Sequence, residues 1–240
     1  MNQSSSLVLI TGASSGIGQA LALAYLQHGW RVALLARRTD VLQQWLGSLP
    51  LELPADQTCI LGGDVGDADS MLEAAQQCIT RMGLPDVVIA NAGISLGVDT
   101  AEREDLEIFH QVLRTNTLGV AHTFHPFIRA MQARGHGKLV GIASVAGIRG
   151  LPGHAAYCAS KTAVISYCES LRGELRTQGV EVITIAPGYI ATPLTARNRY
   201  PMPFLMRAED FAQSAVRSIE RGDRYRVIPW PMGIVASILK

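Results

Sequence analysis

The sequence predicts an α/β protein: one doubly wound domain of about seven parallel strands with helices on both faces. Two observations carry that expectation. Short runs dense in Val, Ile and Leu recur without polar alternation, the pattern of strands covered on both faces. Longer stretches with helical spacing separate them, and such alternation implies right-handed βαβ crossovers into a single parallel sheet.

The strand-like runs are Leu7–Ile10, Val32–Ala36, Thr58–Leu61, Val87–Ala90, Lys138–Ile142, Val182–Ile185 and a less apolar Tyr225–Ile228. The spacing predicts helices over about Gly16–His28, Asp67–Met82, Leu106–Arg134, Ala155–Gln178 and Ala208–Arg221. No repeat, low-complexity tract or long linker intervenes, so one domain over residues 1–240 is the simplest account. The richest loop material is Pro187–Pro203, which holds four prolines. It follows a strand directly, at the sheet edge where ligands of open α/β folds sit, so a substrate lid is expected at about residues 188–207.

Charge narrows the function classes. The 21 Lys and Arg nearly balance the 20 Asp and Glu, so no global field favours nucleic acid or acidic membranes, and no nucleic-acid partner is expected. Cys59, Cys78, Cys158 and Cys168 form no CxxC pair, which suits a reducing compartment and free thiols. The start, Met1 to Ser6, is polar without a basic segment, and no apolar run reaches the ~20 residues of a spanning helix. A cytoplasmic location is the default expectation. His122 and His125 share a helical window but lack the further donors that a metal needs, so no metal is expected.

The first strand runs into Thr11-Gly12-Ala13-Ser14-Ser15-Gly16-Ile17-Gly18 and then a helix. Gly12 permits a tight turn, Gly16 lets backbone approach a pyrophosphate, and Gly18 permits close helix packing, as in Rossmann-type dinucleotide sites. The second strand ends at Ala36-Arg37-Arg38, where a dinucleotide site for NAD would carry an acid. A guanidinium there suits a 2′-phosphate, which favours NADP(H) over NAD(H); the alternative is a pair of solvated charges ahead of a helix cap. Ser14 adds a hydroxyl to that end.

Tyr157 and Lys161 are four residues apart in a predicted helix, one turn apart on one face. An ammonium beside a phenol favours the phenolate and brings proton transfer into range at neutral pH. Val140-Gly141-Ile142-Ala143-Ser144 reads as a buried strand ending in a serine whose hydroxyl can stabilise charge on a carbonyl, or cap a turn. Asn91 and Gly93 end another strand, and a turn is the plainer role for Asn91. Asn116, within the long third window, can bend a helix through side-chain bonding to backbone.

Thr11–Gly18, Asp64-Val65, Asn91-Ala92-Gly93, Asn116, Ser144, Tyr157 to Lys161, and Pro187-Gly188 followed by Thr192 stand in one order and spacing. In these elements the chain resembles the short, single-domain branch of the short-chain dehydrogenase/reductase family over essentially its whole length. GxxxGxG is that family's glycine spacing. The resemblance implies that Tyr157 donates a proton to a carbonyl oxygen, or accepts one in reverse, while Ser144 orients the carbonyl. It implies that Lys161 lowers the tyrosine pKa and holds the nicotinamide ribose, and that Asn116 positions a water linking Lys161 to solvent. Gly12, Ser14, Ser15, Gly16, Ile17, Gly18, Arg37, Arg38, Asp64, Val65, Asn91, Ala92, Gly93, Pro187, Gly188, Ile190 and Thr192 would then line the cofactor, with hydride transfer from its B face. A homodimer or homotetramer through the helices holding Asn116 and Tyr157 is also implied.

Ile94, Val145, Arg149, Leu151, His154, Tyr189 and the lid around Leu194–Met206 are the expected substrate pocket. The apolar lid, with Met202, Phe204 and Met206, suggests a hydrophobic ketone, aldehyde or alcohol, or else a loop anchored to the core. A non-catalytic NADP-binding sensor or scaffold is the competing class, and the intact Asn, Ser, Tyr and Lys set argues against it. The apolar tail after Pro229-Trp230-Pro231 is too short to span a bilayer; a subunit interface or a truncated helix is favoured over membrane contact.

Overall fold

Apolar residues that alternate in direction along parallel strands serve two cores at once, and the sheet here is built that way. Its strands are β1 (Leu7–Thr11), β2 (Arg31–Ala36), β3 (Thr58–Gly62), β4 (Val87–Ala90), β5 (Gly137–Ile142), β6 (Val180–Pro187) and, after two short strands, β9 (Tyr225–Ile228). The computed structural model describes residues 6–196, 198 and 201–238, without the side chains of 236 and 237. Most of the polar start, residues 197, 199 and 200 of the expected lid, and the last two residues of the tail lie outside the described residues.

All seven strands run parallel in the order β3-β2-β1-β4-β5-β6-β9. Leu7 and Leu9 of β1 face one core with Phe124, Phe127 and Met131, whereas Val8 and Ile10 face the other with Leu21, Tyr25 and Phe211. The first core is covered by α3 (Ala68–Met82), α5 (Gly119–Arg134) and α6 (Ala155–Leu175). The second is covered by α1 (Gly16–Gln27), α2 (Thr39–Gly47) and α7 (Ala208–Arg221). The chain reverses direction across the sheet between β1 and β4, so their carboxyl ends open a crevice at the topological switch point.

Three elements depart from the expected pattern. The window over Leu106–Arg134 is α4 (Asp105–Leu113), a π-helical turn at Arg114–Leu118, and α5. A π turn inserts one residue and shifts the register without disturbing the apolar count, so periodicity misses it. Helix α2 lies outside the expected windows and begins at Thr39, where a helix cap is one reading of the residues after Arg37–Arg38; it buries Leu42 and packs Trp45 and Leu46 on the second core. Two-residue strands β7 (Ile190–Ala191) and β8 (Met206–Arg207) pair with each other and clasp the base of the proline-rich loop. The tail folds as a final helix, α8 (Trp230–Ile238), and its buried Met232 packs against Gly188.

Candidate active site

The glycine turn between β1 and α1 works by close approach. Gly12 (φ +66°) passes so near Ala92 that a Cβ would lie 2.7 Å from its Cα. A Cβ on Gly18 would strike the Gly12 carbonyl and come within 2.8 Å of Asn91 Nδ2, so this glycine seats α1 on the turn. Ser15 caps α1 without a side-chain bond, which leaves the first-turn N–H groups directed at the crevice. Thr11, which the sequence argument passed over, holds the turn to β4. Its Oγ1 accepts from the Asn91 and Ala92 N–H groups at 3.1 and 3.2 Å, while Asn91 Nδ2 donates to the Thr11 carbonyl at 3.0 Å. A polar residue ending an otherwise apolar strand is the signal that marks Thr11.

A cavity of about 340 Å³ opens along this crevice. Gly12, Ser14, Ser15, Gly16, Ile17, Arg37, Arg38, Asp64, Val65, Asn91, Ala92, Gly93, Pro187, Gly188, Ile190 and Thr192 all line it, as do Ile94, Ser144, Tyr157 and Lys161. Gly18, Asn116, His154 and Tyr189 are not among its lining residues. Arg37 and Arg38 are exposed at the end of β2, in no ion pair among the described residues. The Asp64–Val65 corner is held from the far side of the crevice. Arg114 Nε donates to the Gly66 carbonyl at 2.8 Å and His122 Nδ1 to that of Val65 at 2.8 Å, so this ring carries its proton on Nδ1.

Asn116 sits in the π turn and reaches away from its own helix. Its Oδ1 accepts from the Ile94 N–H, and its Nδ2 donates to the Ile94 carbonyl and to Ser160 Oγ. Ser160, fully buried between the predicted tyrosine and lysine, also donates to the Tyr157 carbonyl at 2.7 Å. The helix-bending role considered for Asn116 is therefore not its bonding: the amide joins the end of β4 to α6. Gly93 leaves the room, since a Cβ there would lie 3.3 Å from Asn116 Oδ1 and 3.4 Å from Lys161 Nζ.

Lys161 is buried and its Nζ donates to the Ile142 carbonyl at 2.9 Å, 5.8 Å from the centre of the Tyr157 ring. Burial pushes the ammonium down to about 8, with Cys168 opposing. Burial likewise pushes the Tyr157 phenol up, against a hydrogen bond with Ser144 that pulls it down. Ser144 Oγ also accepts from the Ala146 N–H at 3.1 Å, capping the short turn Val145–Gly147, so the serine is both a cap and a partner of the tyrosine.

The proline-rich loop borders the cavity's other side through Thr192, Pro193, Leu194 and Thr195. Thr192 stands 3.2 Å from where a Gly16 Cβ would be, and Thr195 Oγ1 accepts from the Thr192 N–H at 3.1 Å. Met206 N–H donates to the Tyr189 carbonyl, so Tyr189 extends the β7–β8 pairing at the base of the proline-rich loop. His154 precedes α6 with a buried Nδ1 that has no partner among the described residues. Leu194 lines the cavity and is exposed; Arg149 and Leu151 are exposed but do not line it, and Cys158 is buried and accepts from the Leu151 N–H. All four cysteines are free.

The family model for short chain dehydrogenase matches residues 6–202. An uncharacterized oxidoreductase of Myxococcus xanthus is 40% identical over 97% of this chain and 90% of its own. An 11-beta-hydroxysteroid dehydrogenase-like protein of Arabidopsis thaliana is 29% identical over 95% of this chain and 75% of its own. Among solved structures, the alcohol dehydrogenase of the archaeon Thermococcus sibiricus, complexed with 5-hydroxy-NADP, superposes with a TM-score of 0.79 at 26% identity, covering 93% of this chain and 95% of the other. The chain therefore belongs to the short-chain dehydrogenase/reductase family and is an oxidoreductase.

Proposed function

We propose that the protein is an NADP(H)-dependent reductase or dehydrogenase that interconverts a hydrophobic ketone or aldehyde and its alcohol. One observation carries the reading: Ser144, Tyr157 and Lys161 meet in the cavity that the glycine turn and Arg37–Arg38 also line. The residues present fit a dinucleotide. Gly12 and Gly16 leave backbone open to a pyrophosphate, Gly93 leaves a cradle beside Lys161, and the unpaired guanidiniums at the adenosine end suit a 2′-phosphate. The archaeal alcohol dehydrogenase, complexed with 5-hydroxy-NADP, supports the same cofactor class.

Bound nicotinamide would supply or accept the hydride. Tyr157 gives the carbonyl oxygen its proton, and the raised phenol keeps that proton until the oxygen becomes basic. Ser144 orients the carbonyl and stabilises its developing charge. Lys161 holds ribose hydroxyls and, once its cationic charge faces the phenolate, favours the deprotonated tyrosine. Asn116 fixes the neighbourhood through which Lys161 meets water. Thr192 and the lid at 188–207 close over the ligand, with Ile94, His154 and Tyr189 toward the substrate. The steroid-dehydrogenase-like relative supports an apolar substrate. Leu106 and Leu118, each more than half exposed beside the Asn116 turn, support a homo-oligomer through that face.

The test is a panel of ketones, aldehydes and secondary alcohols with NADPH, NADH and their oxidised forms, followed by reduced-cofactor absorbance. Turnover of apolar members with NADP(H) is expected. Tight NADPH binding without turnover of any carbonyl class would instead support a sensor on the same fold.

A further inference from the structure

The loop that follows β3 does not hold its shape alone. Gly62 pairs with Ala36, so this loop leaves the sheet beside Arg37. Its residues Gly63, Asp64 and Val65 line the cavity, and Thr115 of the π turn lines it as well. Within the loop, the Asp64 N–H donates to Ser70 Oγ at 3.0 Å and the Gly66 N–H to Asp64 Oδ1 at 2.9 Å. The Asp67 N–H donates to the Asp64 carbonyl at 3.0 Å. These bonds use N–H groups of the loop. The Val65 and Gly66 carbonyls are met by side chains from another element, His122 Nδ1 and Arg114 Nε, each at 2.8 Å.

The π turn is what lines up the two donors. Arg114 and His122 are eight residues apart, which in an uninterrupted α-helix would set them about 80° from each other. The turn absorbs one residue, so they stand like residues seven apart, within about 20° on one face. Between them Gly119 packs against the buried Val65, where a Cβ would lie 2.8 Å from Val65 Cγ2. One helical face therefore holds the corner at three points. Arg114 is exposed and His122 half-buried, so neither side chain belongs to the hydrophobic core; both end on a loop that lines the cavity.

We propose that Arg114 and His122 are positioning residues for the adenosine half of the cofactor, fixing the Asp64–Val65 corner in the shape that this half meets. The inference rests on the dinucleotide reading of the cavity. A corner pinned in advance needs no ordering on binding, whereas an unpinned one binds in proportion to the fraction of time it is correctly shaped.

Titration calorimetry of the full chain with 2′,5′-ADP, the adenosine half of NADP, tests this. Arg114→Met and His122→Leu are each expected to weaken its binding about fivefold, the worth of one net hydrogen bond. Arg114→Gln keeps an N–H donor on the carbon that bears the Arg114 Nε, and His122→Asn keeps one on the carbon that bears the His122 Nδ1. Both should restore most of the lost affinity, which a general loss of stability or of positive charge would not allow. Should His122→Leu fold poorly, the exposed Arg114 carries the test. Unchanged affinity in Arg114→Met overturns the proposal. So does an Arg114→Gln variant as weak as Arg114→Met, which would assign the guanidinium to charge rather than to the Gly66 carbonyl. A parent that prefers 5′-AMP to 2′,5′-ADP would refute the 2′-phosphate reading alone, and the same variants then test the corner with 5′-AMP. A parent that binds neither nucleotide overturns both.

Discussion

Asn116 and Ile94 are joined by two hydrogen bonds in opposite directions, both 2.8 Å long, although 22 residues separate them. The side-chain amide thus takes the place of a neighbouring strand just beyond β4. A third bond, from Asn116 Nδ2 to Ser160 Oγ at 3.0 Å, carries the junction into α6, which holds Tyr157 and Lys161. The π turn is what aims the amide inward.

Asn116→Ala removes all three bonds and leaves the Ile94 N–H and carbonyl without partners. The expected loss is about 2–3 kcal/mol of stability, measured by urea denaturation, together with reduced turnover. Ser160→Ala removes one of those bonds and should cost about 1 kcal/mol. A stability loss in Ser160→Ala equal to that in Asn116→Ala would place the junction's strength elsewhere.

The parts of this architecture that were legible in the sequence are those written in side-chain type. The strands announce themselves because burial on both faces demands Val, Ile and Leu at every position, as in the fully buried β1 and β4. The glycine turn, Ser144, Tyr157 and Lys161 are visible because their chemistry requires those residues at those spacings. The π turn, the Asn116–Ile94 pairing and the β7–β8 clasp were hidden because they are backbone events that many sequences satisfy. Helix α2 was passed over for its length: in nine residues Val41, Leu42, Trp45 and Leu46 do recur at helical spacing, but only Leu42 is fully buried. The unlike bonding of Asn116 and Thr11, one reaching across the fold and one stitching two strands, shows why a polar residue in a buried run is worth naming.

Gly18 tests the seating of α1. A methyl group there meets the Gly12 carbonyl, which is backbone and cannot swing away, and Asn91 Nδ2, which is held by its bond to the Thr11 carbonyl. Gly18→Ala is expected to destabilise the fold by about 1–3 kcal/mol and to weaken dinucleotide binding, because the helix must retreat from the turn. Calorimetric melting and cofactor titration check both. An unchanged melting temperature would mean that the turn yields freely.

Arg37 and Arg38 separate cofactor choice from surface charge. Each is exposed and in no ion pair among the described residues, so neither Ala variant should change stability by more than about 0.5 kcal/mol. A lost charge-assisted bond to a 2′-phosphate should instead weaken NADPH by roughly tenfold to a hundredfold while sparing NADH. Fluorescence titration with both cofactors reads the difference. Equal losses for the two would place the 2′-phosphate elsewhere.

Tyr157 and Ser144 are expected to fail in different ways. Tyr157→Phe keeps the ring and removes the proton, so turnover should fall about 10²- to 10⁴-fold with NADPH binding retained. Ser144→Ala removes the partner of the tyrosine and also the cap on the Ala146 N–H. It should therefore lose activity and about 1 kcal/mol of stability together. Undiminished turnover in Tyr157→Phe would refute the proton-donor role.

Lys161 gives a prediction whose sign depends on pH. Folding buries this ammonium and pushes it down to about 8 from 10.5. Below about pH 8 both folded and unfolded chains hold the proton, and the folded state bears the whole cost of the buried charge. Between the two values the unfolded state binds more protons, so this residue's penalty shrinks as pH rises. Lys161→Met removes the charge at similar length and gives up the bond to the Ile142 carbonyl. The variant should be more stable than its parent by about 2 kcal/mol near neutral pH, and that advantage should fade toward about pH 10.5. Urea denaturation of both proteins across that range measures it. An advantage that grew with pH would mean that the fold stabilises the ammonium. The same variant is expected to lose turnover; together the two outcomes would mean that the fold carries a destabilising charge at Lys161 for the sake of chemistry.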